Sequence, residues 1–466
     1  MADFPQAPSY VADPAILKLG DAYYDAVAAA DFPQTILRFR NDRAAAEIGL
    51  EGLNDEQWLA HFARFAPLPG NLPQPLALRY HGHQFRTYNP ELGDGRGFTF
   101  AQMRRADGAL LELGTKGSGQ TLWSRFGDGR LTLKGGVREV LATEMLEALG
   151  VKTSRSFSLV ETGEPLQRND EPSPTRSAVL VRMSLGHIRI GTFQRLAYFG
   201  DAENMRRLVD YCLAEMFGVE PAEDPVAQFF ELVVERTAAL AASYMVAGFV
   251  HGVLNTDNIN VTGESFDYGP WRFTPTFDPG FTAAYFDHAG LYAFGRQPDA
   301  ILWNAAQLAV SLRLISEAPP LIERLERFEP LYRRHYAAPL LHRLGIRTNT
   351  ADTDRDWALK DAIDDALIAT QWPIDRFFFD AFGGALPAGY GPEWDKVRAA
   401  LAGYDPLPDG RAHPYFADPE PCSMLIDEVE AIWSAIDRDD DWDPFHAKVA
   451  AARRMGEALD TRNKYR

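Results

Sequence analysis

Two cysteines, Cys212 and Cys422, are all that the 466 residues contain. So few exclude a disulfide framework and a thiolate zinc site, and they make a reducing cytoplasm the expected compartment. Basic charge is also scarce: 47 Lys and Arg stand against 65 Asp and Glu, a formal net charge of −18. That balance argues against nucleic acid as a partner, because sequence-independent binding needs a dense basic surface. A single basic pocket for a nucleotide stays compatible with it. The opening "MADFPQAPSYVADP" has neither a basic n-region nor an apolar core, so no secretory signal is read there. Long apolar runs are missing too. The stretch poorest in charge, Thr237 to Leu254, carries Ser243 and His251 at low apolar density. It reads as a buried core helix, with no membrane partner expected. Repeats and low-complexity tracts are absent, and the chain is expected to be a monomer.

What is present is ample core material: 46% hydrophobic and 24% charged residues, ordinary for a globular protein and enough for two to four folding units. Residues 66–80, "APLPGNLPQPLALRY", are too rich in proline for helix and read as extended chain on a surface. From Phe98 the pattern becomes strand, Ala-Asp-Gly turn (Ala106–Gly108), strand. A helix follows, with Val137, Val140, Leu141, Met145 and Leu149 on one stripe and Gly150 as its stop, then a further strand in "KTSRSFSLVET". Beyond about Gly200 the periodicity is helical. The expectation is an α+β chain with four parts: a 1–77 extension wrapping the core, a β-rich lobe at 78–195, a helical lobe at 196–345 and a helical region at 346–466.

One segment, "HGVLNTDNINVTGESFDYG" (His251–Gly269), has the outline of a phosphotransfer site with a part missing. Such sites carry His-x-Asp, a metal-binding Asn and then Asp-aromatic-Gly. His251, Asn258 and Asp267-Tyr268-Gly269 fall at the right offsets, yet Val253 fills the slot of the catalytic Asp. Asp257 is the one carboxylate within the motif able to replace it as base, since proton abstraction needs a group within hydrogen-bond reach. Asn258 and Asp267 offer the oxygen ligands a hard divalent cation prefers. Upstream, Lys116 ends a strand and Glu139 lies on the next helix, the order in which a Lys–Glu pair holds nucleotide phosphates. Each of these residues alone has an ordinary alternative: a solvated lysine or glutamate, a turn Asn, a cap Asp. Their combination is the specific signal.

Two Gly-Asp-Gly-Arg segments, Leu92–Gly97 and Arg125–Leu131, could bring backbone amides to phosphate oxygens, although a lone G-x-G is most often a hairpin turn. Arg182 and Arg189, among apolar neighbours, each need an anionic partner: a triphosphate or a structural carboxylate. His81 and His83 in "YHGHQF" lack a Cys or acidic cluster and read as packing or hydrogen-bonding residues. "DRDDDWDPF" has Trp442 where a calcium loop needs Gly and reads as a solvated acidic turn.

With "YHGHQFRTYNPELGDGR", "TKGSGQTLWSRFGDGR", "VREVLATEMLEALGVKTSRSFSLV", "VRMSLGHIRIGTF" and "HGVLNTDNINVTGESFDYGPW" in order, the chain resembles the selenoprotein O family over roughly Leu78 to Asp287. The resemblance implies a protein-kinase-like bilobal fold that binds ATP reversed. It also implies transfer of AMP to Ser, Thr or Tyr hydroxyls of protein substrates, with Mg²⁺ or Mn²⁺ as cofactor and release of pyrophosphate. Carried over by position, Asp257 is the proton acceptor and Asn258 and Asp267 the metal ligands. Lys116 and Glu139 become the ion pair; Gly93, Gly95, Arg96, Asp128, Gly129, Arg182, Arg189 and Asp267 become ATP contacts, and Val253 is the family's own pattern. Three departures stand out: Arg86 follows Phe85 where relatives commonly have Gly, the family's late Asn-Pro-Lys segment is not evident, and "ALDTRNKYR" closes the chain without the family's terminal Cys or selenocysteine. The rival expectations are a γ-phosphoryl kinase and an inactive nucleotide-binding scaffold.

Overall fold

The structure is a computed structural model that describes residues 9–169, 171–347, 352–408 and 410–459. The remaining residues, which include the extreme ends of the expected 1–77 and 346–466 parts, lie outside the described residues.

An antiparallel sheet organises the N-terminal part. Its strands are β1 (Tyr24–Ala26), β2 (Ile36–Arg40), β3 (Leu76–Leu78), β6 (Thr99–Arg104), β7 (Leu110–Lys116), β8 (Leu131–Thr132), β9 (Arg155–Leu166) and β10 (Thr175–Ser184), while β4 (Gly82–Gln84) and β5 (Thr87–Asn89) form a separate hairpin. The order is β1-β3-β6-β7-β10-β9-β2, with β8 pairing β10. The segment before residue 78 therefore supplies strands to both edges of the sheet, and the proline-rich run ends in one of them.

Side-chain alternation decides what each face does. On β10, Val179, Val181 and Met183 enter one core with Trp58, Phe62 and Phe157, while Ala178 and Leu180 enter the other. The first core is covered by α1 (Asp42–Glu47) and α2 (Asp55–Phe62), the latter opened by an Asn54–Gln57 capping box. On the opposite face the register sets Leu180 beside Lys116, Arg182 beside Gly114 and Ser184 beside Glu112. The period of two that builds the core thus aligns a row of polar side chains over the helical part.

Helix α3 (Leu133–Ala148) starts where the Thr132 hydroxyl accepts from Gly135 N and stops before Gly150, whose φ is +77°. The helical part follows: α4 (Ile190–Tyr198), α5 (Ala202–Tyr211), α6 (Pro225–Ala247), α7 (Gln297–Leu312), α8 (Ala318–Leu325), α9 (Phe328–Arg343), α10 (Thr353–Thr370), α11 (Ile374–Ala381), α12 (Asp395–Leu401), α13 (Ile426–Asp439) and α14 (Asp443–Ala458). The architecture is α+β, an antiparallel sheet followed by helices. The charge-poor run Thr237–Leu254 is split: α6 ends at Ala247 on a left-handed Gly248, and Phe249–Val250 form a short, buried strand. No described helix is long and apolar enough to cross a membrane. The acidic corner at 438–445 is more than solvated, because Asp440 accepts from Arg176 at 2.7 Å and Arg38 at 3.1 Å on the sheet.

Candidate active site

The polar row on β7 and β10 meets α3 and the His251–Gly269 segment in one cleft. Lys116 pairs with Glu139 of α3 and, at 2.8 Å, with Asp267. Arg182 reaches the same Asp267 oxygen at 3.3 Å. Although burial opposes its ionisation, Lys116, Arg182 and Arg96 together hold the Asp267 carboxyl well below the usual carboxylate range. Asp267 takes a left-handed backbone, φ +65°, uncommon for a residue other than glycine. Arg182 also donates through Nε to His187 Nε2 at 3.1 Å, and His187 Nδ1 meets Glu112 at 2.5 Å. Since a guanidinium can only donate, His187 Nε2 is an acceptor and the ring is neutral, in keeping with burial holding its pKa down. This ring explains Gly114 inside a strand: a Cβ there would lie 2.2 Å from His187.

Arg189 is the N-cap residue of α4, 3% exposed in its side chain. It donates to the Asp257 carbonyl and to Asp94, both at 3.2 Å, and stacks on Tyr80 at 4.1 Å. Arg182 and Arg189 thus each have a carboxylate within the cleft.

Asp257 lies on a short 3₁₀ turn, Thr256–Asn258, and is 8% exposed. Burial pushes its carboxyl up to about 7, with Arg189 pulling the other way. Its Oδ1 has no hydrogen-bond partner among the described residues. Gly82 of β4 covers it so closely that a Cβ there would stand 3.0 Å from that oxygen. Val253, in the vacant base slot, contributes only its carbonyl, which accepts from Asn258 Nδ2 at 3.0 Å. This bond leaves the Asn258 side-chain oxygen as the group available to a cation. His251 is a scaffold residue, donating through Nε2 to the Phe266 carbonyl at 3.0 Å. No group of three or more His, Cys, Asp or Glu able to hold a metal occurs among the described residues. A cation held by Asn258 and Asp267 would draw its other oxygens from a bound phosphate chain and water, the usual habit of Mg²⁺.

The glycine segments differ from one another. Gly93 and Gly95 are clasped by Trp123: a Cβ at Gly93 would overlap its indole, and one at Gly95 would stand 2.8 Å from its carbonyl. Gly129 packs on Gly119, whose amide donates to its carbonyl at 3.1 Å. Arg96 is exposed and acts on Asp267 at longer range. Asp128 is drawn to the surface, ion-paired with Arg168 at 2.7 Å.

Sequence reasoning missed Asp94, Gln194, Asn255 and Thr256. Thr256 Oγ1 donates to Gln194 at 2.7 Å and accepts from His83 N at 2.6 Å, and the Gln194 amide meets His83 Nδ1 at 2.7 Å. His81 Nδ1 meets the Tyr88 hydroxyl at 2.8 Å. The two histidines thus bind the β4–β5 hairpin together and onto the Asp257 turn. Asp94 stood inside a quoted Gly-Asp-Gly and read as a turn residue; its partner Arg189 was the available signal.

Comparison with known proteins shows the family. The family model described as protein adenylyltransferase SelO matches residues 9–385. A protein nucleotidyltransferase YdiU of Synechocystis sp. is 44% identical over 469 residues, spanning 94% of this chain and 96% of its own length. One of Gloeobacter violaceus is 45% identical over 470 residues, 95% of each chain. In Azotobacter vinelandii a protein of the same name matches 73% of this chain at 39% identity. The chain belongs to the SelO family of protein adenylyltransferases.

Proposed function

We propose that this nucleotidyltransferase works through a protein-kinase-like cleft between residues 78–195 and 196–345, and binds ATP with its triphosphate end inward. The observation that carries this orientation is the pair Arg182 and Arg189, whose side chains are 8% and 3% exposed. Buried guanidiniums attract the most highly charged part of a nucleotide, which leaves the α-phosphate as the group presented to an acceptor at Asp257. On binding, phosphate oxygens would compete with Asp267 and Asp94 for these arginines. Lys116 would remain held by Glu139 and pair with the phosphates. The Asn258 carboxamide and the Asp267 carboxylate do not form a metal site alone, but their oxygens fit Mg²⁺ or Mn²⁺ alongside ATP, and such an ion would neutralise charge on the phosphate chain.

Asp257 takes the proton of an acceptor Ser, Thr or Tyr hydroxyl. The acceptor oxygen bonds to the α-phosphorus, the bond from that phosphorus to the bridging oxygen breaks, and pyrophosphate leaves. The unpartnered Asp257 Oδ1 supports this role, because a buried oxygen without a hydrogen bond awaits a donor. A cytoplasmic setting accords with both cysteines being free. ATP labelled separately at the α- and γ-positions tests the reading: α-label on protein, with a mass increase of one AMP, is expected. Label retained only from the γ-position would establish a kinase, and wild-type behaviour of Asp257→Ala a scaffold.

A further inference from the structure

An adenylyltransferase needs a surface that brings one protein hydroxyl to its base, and no residue above has that task. Beside Asp257, two segments hang from a single side chain. Asn255 Oδ1 accepts from Phe85 N at 3.0 Å and from the Tyr292 hydroxyl at 2.8 Å. Phe85 belongs to the turn between β4 and β5, and Tyr292 to the irregular stretch before α7. Their rings stand 5.0 Å apart, and Phe286 adds a third at 5.7 Å from Phe85. Tyr285 and Phe286 are 77% and 42% exposed. Exposed aromatics grouped beside a catalytic turn are characteristic of contact surfaces rather than of scattered surface residues.

Two further features give this ledge a chemistry. Phe85 and Arg86 both have left-handed backbones, φ +48° and +63°, a conformation that costs energy in side chains of this size and gathers at functional sites. It turns Arg86 outward, where the guanidinium stacks at 5.4 Å on Trp303 and has no carboxylate partner among the described residues. An exposed, unpaired arginine is conspicuous in a chain of net charge −18. Tyr285 also borders a hollow of about 430 Å³ whose lining includes the polar side chains of Thr282, Asp287, His288 and Arg296.

We propose that Phe85, Arg86, Tyr285 and Phe286 form the docking ledge for the acceptor protein, and that it selects an extended segment with an aromatic or large aliphatic residue and a neighbouring carboxylate. Gly82 covers Asp257, and Phe85 lies three residues further along the hairpin, about 10 Å at the rise of extended chain. The selected aromatic therefore lies about three residues from the hydroxyl that receives AMP. The shared anchor on Asn255, two residues before Asp257, keeps ledge and base in one frame. This inference rests on the adenylyl-transfer reading.

The test uses the full chain, ATP and a synthetic peptide with a central Ser, Phe at the third position on each side and Glu beside each Phe. Two control peptides replace Phe by Ser or Glu by Lys. Tyr285→Ala/Phe286→Ala is expected to raise the KM for the Phe peptide at least tenfold and leave the KM for ATP unchanged. Both side chains are exposed, so unfolding is a minor risk, and an unchanged melting temperature checks it. Arg86→Glu is expected to reverse the preference between Glu and Lys peptides. Equal KM for Phe and Ser peptides, or an unaltered peptide KM in the double variant, overturns the ledge while pyrophosphate release from ATP still supports adenylyl transfer. If the wild type releases no pyrophosphate with any acceptor, the adenylyl reading itself fails and takes the ledge with it.

Discussion

The floor and the rim of the cleft are built on opposite principles. On the floor the cations are buried and matched: Lys116 and its partner Glu139 are 5% and 2% exposed, Asp267 answers both Lys116 and Arg182, and Asp257 keeps an oxygen without a partner among the described residues. On the rim the charges are exposed and unmatched. Arg86, Arg96 and Arg125 make no direct carboxylate contact among the described residues, Phe126 projects fully into solvent and Leu122 is mostly exposed. Buried ions demand partners because desolvation is costly, so the floor is committed before any ligand arrives. The rim has no such constraint and is free to meet something that is not yet there. One region holds the nucleotide's charge; the other is left to recognise.

That contrast predicts its own largest effect. Lys116→Met strips Glu139 and Asp267 of a shared cation, leaving Glu139 charged in the core. Removing one partner of a buried pair destabilises by about 3–5 kcal/mol, and activity should fall about 100- to 1,000-fold. The double variant Lys116→Met/Glu139→Leu should recover much of the stability and none of the activity. Thermal melts and AMP-transfer rates check both halves. Recovery of activity would show that the pair serves packing alone.

The floor extends behind α3. Glu144, 3% exposed, is held by Arg43 of α1 at 3.0 Å and by Arg453 of α14, which donates at 2.6 and 2.7 Å. From α13, Glu430 holds Lys134 at 2.7 Å. These last two helices lie beyond the residues matched by the family model, yet they brace the helix that carries Glu139. Arg453→Ala should cost about 1.5–3 kcal/mol, the range for hydrogen bonds to a charged group. It should also weaken ATP binding severalfold through a loosened Glu139, and Arg453→Lys should restore part of both. Unchanged ATP affinity in a destabilised Arg453→Ala protein would separate the brace from the cleft.

Legibility in the sequence follows the range of the interaction. Lys116 and Glu139 are legible through the order of motifs, a strand Lys before a helical Glu before the His251–Gly269 segment, and Arg182 through apolar neighbours that leave a guanidinium in need of an anion. The Arg43–Glu144–Arg453 clamp was not, since its partners are up to 309 residues apart and no local pattern records them. The β4–β5 hairpin was half legible. Its histidines read as packing or hydrogen-bonding residues, and both do hydrogen-bond, but the attachment of His83 to Thr256 and Gln194 depends on how distant segments meet. Asp128 was a nucleotide contact only by the family resemblance, and in the structure it pairs with Arg168.

A smaller effect lies where rim joins floor, at His81. Buried beneath Tyr198 and Phe199, its imidazole is held from 6.5 down to about 4, by burial first and by Arg195 second. The folded state therefore resists a proton that the unfolded chain accepts. The stability His81 contributes is complete above pH 6.5 and drains away as pH falls toward about 4. His81→Gln should flatten the fall of melting temperature between those values and leave it little changed at pH 8. An unaltered slope would mean that another group carries the acid response.

The smallest expected effect falls on Asp128, and it sharpens the boundary between the two regions. Its carboxylate is 46% exposed and its ion pair with Arg168 lies at the surface, where such pairs contribute about 0–1 kcal/mol. Asp128→Asn should therefore leave the melting temperature within error, and so should Arg168→Ala. The two substitutions diverge if Asp128 turns inward when nucleotide binds. Asp128→Asn then raises the KM for ATP, whereas Arg168→Ala frees the carboxylate and lowers it. Equal, negligible effects on that KM would assign Asp128 to the surface and confine nucleotide recognition to the buried floor.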